Sequence, residues 1–258
     1  MSNINFKIEN GVGIITLNRP DKFNSFVRQM AFDLQATLDE CEANPEVRAI
    51  YLTGEGKAFC AGQDLAEAID PNQTDLNKIV EEHYNPIIER LRTIEKPIVC
   101  AVNGVAAGAG ANLALACDIV FAAKSASFIQ AFSKIGLIPD SGGTFYLPRL
   151  IGFQKATALM FLGDKVMVED AEKMGMIYKS VADENLQEEA MKSAQQLAKM
   201  PTKGIGLTKR LLNQTYNNTL TQQLAMENEI QTIAGSTYDY QEGVSAFLEK
   251  RLPNFKGE

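Results

Sequence analysis

The chain has no tryptophan, one histidine and four cysteines in 258 residues. A Ser–His or Cys–His nucleophilic engine would therefore have to run through His83. That residue sits in a polar, helix-like stretch and reads as a helix-surface side chain. Cys41, Cys60, Cys100 and Cys117 lie far apart with no C-x-x-C pair, which points to reduced core thiols and away from a metal site. Positive charge is also in short supply. Lys and Arg total 25 against 32 Asp and Glu, a formal net charge of −7, so the chain carries no footprint for nucleic acid. No apolar run approaches the roughly 20 residues needed to span a bilayer. Met1 to Asn10 lacks the basic start and apolar block of a signal sequence. The expectation is a soluble, cytoplasmic protein with no membrane partner.

What is present is an alternation of strand and helix patterns. Asn5–Ile8 and Val12–Leu17 are β-prone runs around Asn10-Gly11, a hairpin signal. Ser25 is expected to open a helix carrying Met30, Leu34 and Leu38 on one face. Arg48–Thr53 reads as a strand, Asp70–Thr74 as a polar loop, and Leu76 to Thr93 as a helix. Ile98–Val102 is a short apolar run typical of a buried strand. Small residues follow from Gly104, leading into a helix that continues to about Ala116. Asp118–Ala122 and Ser127–Ile129 read as further strands, Gly136–Gly143 as a loop, and the chain from about Thr144 as mostly helix. From about Leu186 it is amphipathic helix. The pattern is α/β, with a core over 1–195 and a helical region over 196–258. At 45% apolar residues a chain of this length can build one substantial core.

Three segments carry candidate chemistry. Gly104 to Asn112 follows a buried strand and opens a helix; small side chains there admit a ligand to free backbone N–H groups. Tight helix–sheet packing explains the same residues without a ligand. A dinucleotide loop fits poorly, because Gly108, Gly110 and Leu113 lack the third glycine and no acidic residue follows at the needed distance. Lys57 to Leu65 also follows a strand and could supply a second N–H. In Gly136 to Thr144, Asp140 follows a proline in a glycine-rich turn flanked by Leu137 and Ile138. It reads either as a turn or capping aspartate, or as a partly desolvated carboxylate suited to proton transfer.

Together these segments resemble the enoyl-CoA hydratase/isomerase (crotonase) superfamily. The resemblance rests on Asn18-Arg19-Pro20, Phe59–Leu65, Ala101 to Leu113, Cys117-Asp118-Ile119 and Pro139–Thr144. It implies a crotonase-like spiral of ββα units with a C-terminal helical trimerisation region, assembled as a homotrimer or dimer of trimers. It implies an acyl-CoA thioester substrate, with coenzyme A as part of the substrate and no separate cofactor or metal. The N–H groups of Gln63 and Ala109 are implied as the oxyanion hole. Contacts to substrate and CoA would fall on Lys22, Ala61, Asp64, Leu65 and Ala66, with Asn112 and Phe132 beside the acyl group.

Family hydratases use two glutamates to place and split a water. Here those positions hold Asn112 and Phe132. An amide can hold a water but cannot take its proton, and a phenyl ring can do neither. Asp140 remains, where the family's double-bond isomerases carry a working carboxylate. Family dehalogenases use an aromatic cradle that includes tryptophan, which this chain lacks. The match is closest to the branch of isomerases that act on 1,2-epoxyphenylacetyl-CoA in phenylacetate breakdown. The expected activity is therefore an acyl-CoA isomerase with Asp140 as acid/base, shifting a Δ3 double bond to Δ2 as a second activity. An enoyl-CoA hydratase is the alternative, and a non-catalytic acyl-CoA-binding subunit the alternative of another class.

Overall fold

The computed structural model describes residues 2–69 and 75–258. The polar loop expected at Asp70–Thr74 lies outside the described residues. Strands β1 (Ile4–Glu9) and β2 (Val12–Leu17) form the expected hairpin, with Asn10 and Gly11 both at positive φ, as a two-residue turn of matching twist requires. The next helix, α1 (Arg28–Ala43), buries Met30, Leu34 and Leu38 but starts later than Ser25. The reason is that Phe26 is extended, pairing with Gln63: its N–H donates to Gly62 O at 2.7 Å and its carbonyl accepts from Asp64 N–H at 2.8 Å. Val27, at the start of the helix, offers no side-chain cap. Glu67 does this from a distance, accepting the Arg28 N–H at 3.0 Å.

Beyond α1 the chain climbs in repeated steps. A long strand enters one sheet, a short strand enters a second, and a helix or turn carries the chain to the next step. The first step is β3 (Ala49–Gly54) and β4 (Ala58–Cys60), followed by α2 (Leu65–Ala68), α3 (Leu76–Lys78), a π-helical stretch (Ile79–Tyr84) and α4 (Asn85–Thr93). The second is β5 (Ile98–Val102), β6 (Val105–Ala107) and α5 (Ala109–Leu115). The third is β7 (Ile119–Ala123) and β8 (Ser127–Ile129), then a 3-10 turn (Ala131–Ile135), α6 (Gly143–Ile151) and α7 (Phe153–Leu162). Two strands interrupt the stretch expected to be helical: β9 (Lys165–Met167), before α8 (Val168–Lys173), and β10 (Lys179–Val181). Each is three residues long and lies at a sheet edge, too short to show a period. Helices α9 (Leu186–Ala198), α10 (Thr202–Gln214), α11 (Leu220–Gly235) and α12 (Tyr238–Glu249) complete the chain.

One sheet runs β1-β2-β3-β5-β7-β10, parallel from β2 onward; the other runs β4-β6-β8-β9, parallel through β8. The result is a spiral of ββα steps around an apolar core. Strands β3 and β5 are buried along their whole length, as parallel strands covered on both faces should be. Asp118 pins the steps together: it accepts from Arg92 at 3.0 Å, from the buried Lys209 at 2.8 Å and from the Ile98 N–H at 2.9 Å. No helix among the described residues is long and apolar enough to cross a membrane.

The π-helical stretch changes the reading of His83. An extra residue in the turn brings Ile79, His83 and Tyr84 all to the inner side. His83 is 1% exposed, with its ring edge-on to Phe32, and is not a surface residue. Burial pushes its pKa down, so it is held neutral among core side chains.

The close approach of α5 to β4 depends on Gly110. A Cβ there would meet the Cys60 carbonyl oxygen and lie 2.7 Å from Cys60 Sγ. Gly110→Ala is expected to destabilise the protein by about 2 kcal/mol or more, since neither backbone has room to yield. Chemical denaturation checks this, with an unchanged midpoint as the contrary result.

Candidate active site

Three loops leave the carboxyl ends of three neighbouring parallel strands, β4, β6 and β8, and meet at one edge of the smaller sheet. The first is Ala61–Asp64. Gly62 stands at φ 89°, and a Cβ on it would lie 2.9 Å from Ala107 O and 3.5 Å from Ala109 N. The second loop is therefore in contact with the first. Its Gly108 has φ 53° and ψ −126°, a conformation that glycine adopts without penalty. This turn sets the direction of the Ala109 N–H. Among the described residues neither the Gln63 N–H nor the Ala109 N–H has a protein acceptor. Two adjacent, rigid, unpaired backbone donors are what a developing oxyanion needs.

The third loop brings Asp140. It is half-buried, and burial pushes its pKa up from an ordinary 3.8 to about 6, although a hydrogen bond from Ser141 Oγ at 2.9 Å acts in the opposite direction. A carboxyl group of that pKa exchanges protons readily near neutrality. Its backbone is held from inside. Asn112 Nδ2 donates to Asp140 O at 2.8 Å, and Asn112 Oδ1 accepts from Gln130 Nε2 at 2.7 Å. Asn112 is 1% exposed and Gln130 4%. Gly143 has no room for a side chain, since a Cβ would lie 2.7 Å from Asn112 Cγ.

The expected site residues are thus sorted by the fold. Gln63, Ala109 and Asp140 stand at one sheet edge. Phe132 is 6% exposed with its ring beside the oxyanion turn, 3.7 Å from where a Gly108 Cβ would be. Lys22 is exposed and next to Phe23, whose carbonyl accepts the Ala61 N–H at 3.0 Å; Ala61, Leu65 and Ala66 are exposed on the same rim. Two expectations need correction. Asn112 does not face substrate, because both ends of its amide are committed to Asp140 and Gln130 inside the protein. The carboxylate of Asp64 is likewise occupied: it pairs with Arg19 at 3.0 Å and caps α2 through the Ala66 N–H at 3.1 Å.

The sequence reading missed Tyr84, Glu67 and Ser141. The Tyr84 hydroxyl donates to Gln63 Oε1 at 2.9 Å, and Gln63 Nε2 donates to Glu67 Oε2 at 3.2 Å. Ser141 is adjacent to Asp140 in a left-handed turn, a local signal that was available. Tyr84 also had a signal, since it shares the i, i+3, i+4, i+7 spacing of the buried Ile87, Ile88 and Leu91.

Comparison with known proteins identifies the family. The enoyl-CoA hydratase/isomerase family model matches residues 7–258. The 1,2-epoxyphenylacetyl-CoA isomerase of Escherichia coli is 50% identical over 254 residues, covering 97% of each chain. The mitochondrial enoyl-CoA hydratase of Pongo abelii is 36% identical, covering 96% of this chain and 85% of that one. The crystal structure of an enoyl-CoA hydratase from Bacillus anthracis superposes with a TM-score of 0.92 at 33% identity, covering 99% and 100% of the two chains. The protein is an enzyme of the enoyl-CoA hydratase/isomerase family, and its spiral is the crotonase fold.

The raised pKa of Asp140 has a consequence for stability. The folded protein holds that proton more tightly than the unfolded chain does, so the contribution is favourable at pH 4 and is lost as pH rises through about 6. Asp140→Asn should remove the cost of the buried charge. At pH 8 it is expected to gain about 1–2 kcal/mol after allowance for solvent screening, or roughly 2–6 °C in Tm. At pH 4.5 the gain should shrink towards zero. Paired thermal melts at the two pH values check this; equal gains would contradict it.

Proposed function

We propose that this enzyme is an acyl-CoA isomerase that forms a thioester enolate and returns its proton to a different carbon. The observation that carries the reading is a lone half-buried carboxyl group, Asp140, beside the two unpaired N–H groups. The hydratase positions are filled by a phenyl ring and by an amide with no free atom to offer a water. Glu67, the other carboxylate nearby, is committed to the Arg28 N–H and to Gln63. The 50% identity to the Escherichia coli isomerase supports the same choice.

In this reading the thioester oxygen accepts from Gln63 N–H and Ala109 N–H. Asp140 takes a proton from the carbon next to the thioester, and the electron pair moves onto the oxygen. For a 3-enoyl thioester, the enolate collapses as Asp140 returns the proton two carbons further along, leaving a 2-enoyl thioester. Conversion of 1,2-epoxyphenylacetyl-CoA to its oxepin thioester breaks the ring C–C bond between the two epoxide carbons, with a shift of the ring double bonds, and needs the same transfer, from the carbon beside the thioester to a ring carbon. We favour the aromatic substrate because Phe132 presents a ring where hydratases place a carboxylate. Ala61, Leu65, Ala66 and Lys22 would form the rim against which coenzyme A lies, with no further cofactor. The C-terminal region leaves Leu220, Phe247, Leu248 and Leu252 between 74% and 90% exposed, an apolar surface suited to a homotrimer or a dimer of trimers.

Asp140→Asn should lower kcat on epoxyphenylacetyl-CoA and on 3-enoyl-CoA by about 100-fold or more, the usual weight of a positioned acid/base. The wild-type rate should rise with pH through about 6 and level off above it, because the reactive form is the carboxylate. Near-wild-type turnover by the variant on both substrates would rule out the role of Asp140. Crotonyl-CoA hydration that outpaces both isomerisations would favour the hydratase reading. Binding without turnover across a thioester panel would favour a non-catalytic subunit.

A further inference from the structure

Gln63 lends the proposed oxyanion hole only its backbone N–H. Its side chain is engaged elsewhere, bonded at both ends. Oε1 accepts from the Tyr84 hydroxyl at 2.9 Å and Nε2 donates to Glu67 Oε2 at 3.2 Å. The direction of each bond is fixed: an ionised carboxylate only accepts, so the NH2 faces Glu67 and the carbonyl oxygen is left for the hydroxyl. Glu67 is itself held by the Arg28 N–H at the head of α1. Tyr84 is 2% exposed and packs its ring against Phe26, with centroids 5.7 Å apart.

We infer that Tyr84 is a positioning residue for the oxyanion hole, clamping the Gln63 side chain together with Glu67 and so fixing where the Gln63 N–H lies. The inference rests on the reading in which that N–H receives the thioester oxygen. The backbone of the loop shows what the clamp adds. Phe26 holds both peptides that flank Gln63: its N–H donates to Gly62 O, in the same peptide plane as the Gln63 N–H, and its carbonyl accepts from Asp64 N–H. Each plane is held through a single hydrogen bond, about which it can still tilt, and Gly62 at positive φ resists that tilt little. The side chain is the third point of attachment that limits it. A donor displaced by even a fraction of an ångström loses transition-state stabilisation without loss of substrate binding. Tyr84 continues the buried stripe of Ile87, Ile88 and Leu91 at regular helical spacing, and the π-helical turn brings Ile79 and His83 to the same side. Burial, reinforced by nearby Cys60, Asp140 and Glu67, raises the Tyr84 pKa well above its usual value, so the hydroxyl keeps its proton and remains a donor.

Tyr84→Phe removes the donor and keeps the ring. Two measurements then test the clamp. The first is hydrogen–deuterium exchange of backbone 61–65 in the free enzyme, with 30–41 of α1 as control. The second is kcat and KM on 3-enoyl-CoA for Tyr84→Phe, Gln63→Leu and the double variant. The expected result is exchange of 61–65 faster by about 5-fold or more with 30–41 unchanged, kcat lower by roughly 10- to 100-fold and KM within about twofold. The double variant should be no worse than Gln63→Leu alone, because both changes cut the same connection. Unchanged exchange of 61–65, equal loosening of 30–41, or additive losses in the double variant would each overturn the inference. If the wild-type enzyme turns over neither thioester, the isomerase reading falls, and the exchange measurement still decides whether Tyr84 orders the loop.

Discussion

The whole site depends on how closely one backbone can approach another. Loop Ala61–Asp64 and the turn at Gly108-Ala109 meet only because Gly62 and Gly110 carry no side chain where each faces a neighbouring carbonyl oxygen. Once those contacts are made, little conformational freedom remains. The rest of the spiral supports that approach. Parallel pairing of β4, β6 and β8 delivers three loops to one edge, and the larger sheet with its helices supplies the core that keeps the smaller sheet in place. Glycines that suit a ligand-accepting loop and glycines that suit tight packing are here the same residues, because the packing creates the donor pair.

Around that backbone the polar side chains divide by what they hold. Asn112 and Gln130 hold the carbonyl of Asp140; Tyr84 and Glu67 hold the side chain of Gln63. None of the four supplies the enolate with a donor. Each fixes a group that does chemistry in the proposed mechanism, which is the usual division between reacting groups and their supports. The carboxyl of Asp140 carries the cost of the design, since it is half-buried with one hydroxyl as its side-chain donor. A group strained in that way is useful for proton transfer and unfavourable for stability.

Asn112 stands where the resemblance implies that hydratases carry a water-handling glutamate. Here an amide is required by its surroundings, since it must donate to one carbonyl and accept from one amide at the same time. A carboxylate could not donate, and would leave the Asp140 carbonyl without that partner. The absence of the glutamate is thus tied to the way the third loop is held, and the isomerase reading gains a physical basis beyond the loss of a residue.

The sequence by itself determined a good deal. Asn10-Gly11 specified the hairpin and the apolar run Ile98–Val102 a buried strand, while small and turn-forming residues marked the loops around Gln63, Ala109 and Asp140 without showing that they meet. These are local or pattern-bearing features, where backbone preference and period are written in adjacent residues. The tertiary structure decided the rest. It delayed α1 past Ser25 because Phe26 pairs with Gln63, turned His83 inward through a π-helical stretch, added the short edge strands β9 and β10, and drew Asn112 and Asp64 into the framework. Each of these turns on a partner distant in sequence, 37 residues away for Phe26 with Gln63 and 28 for Asn112 with Asp140. A side chain's neighbours on its own segment say what it is able to bond; only the fold says which partner arrives.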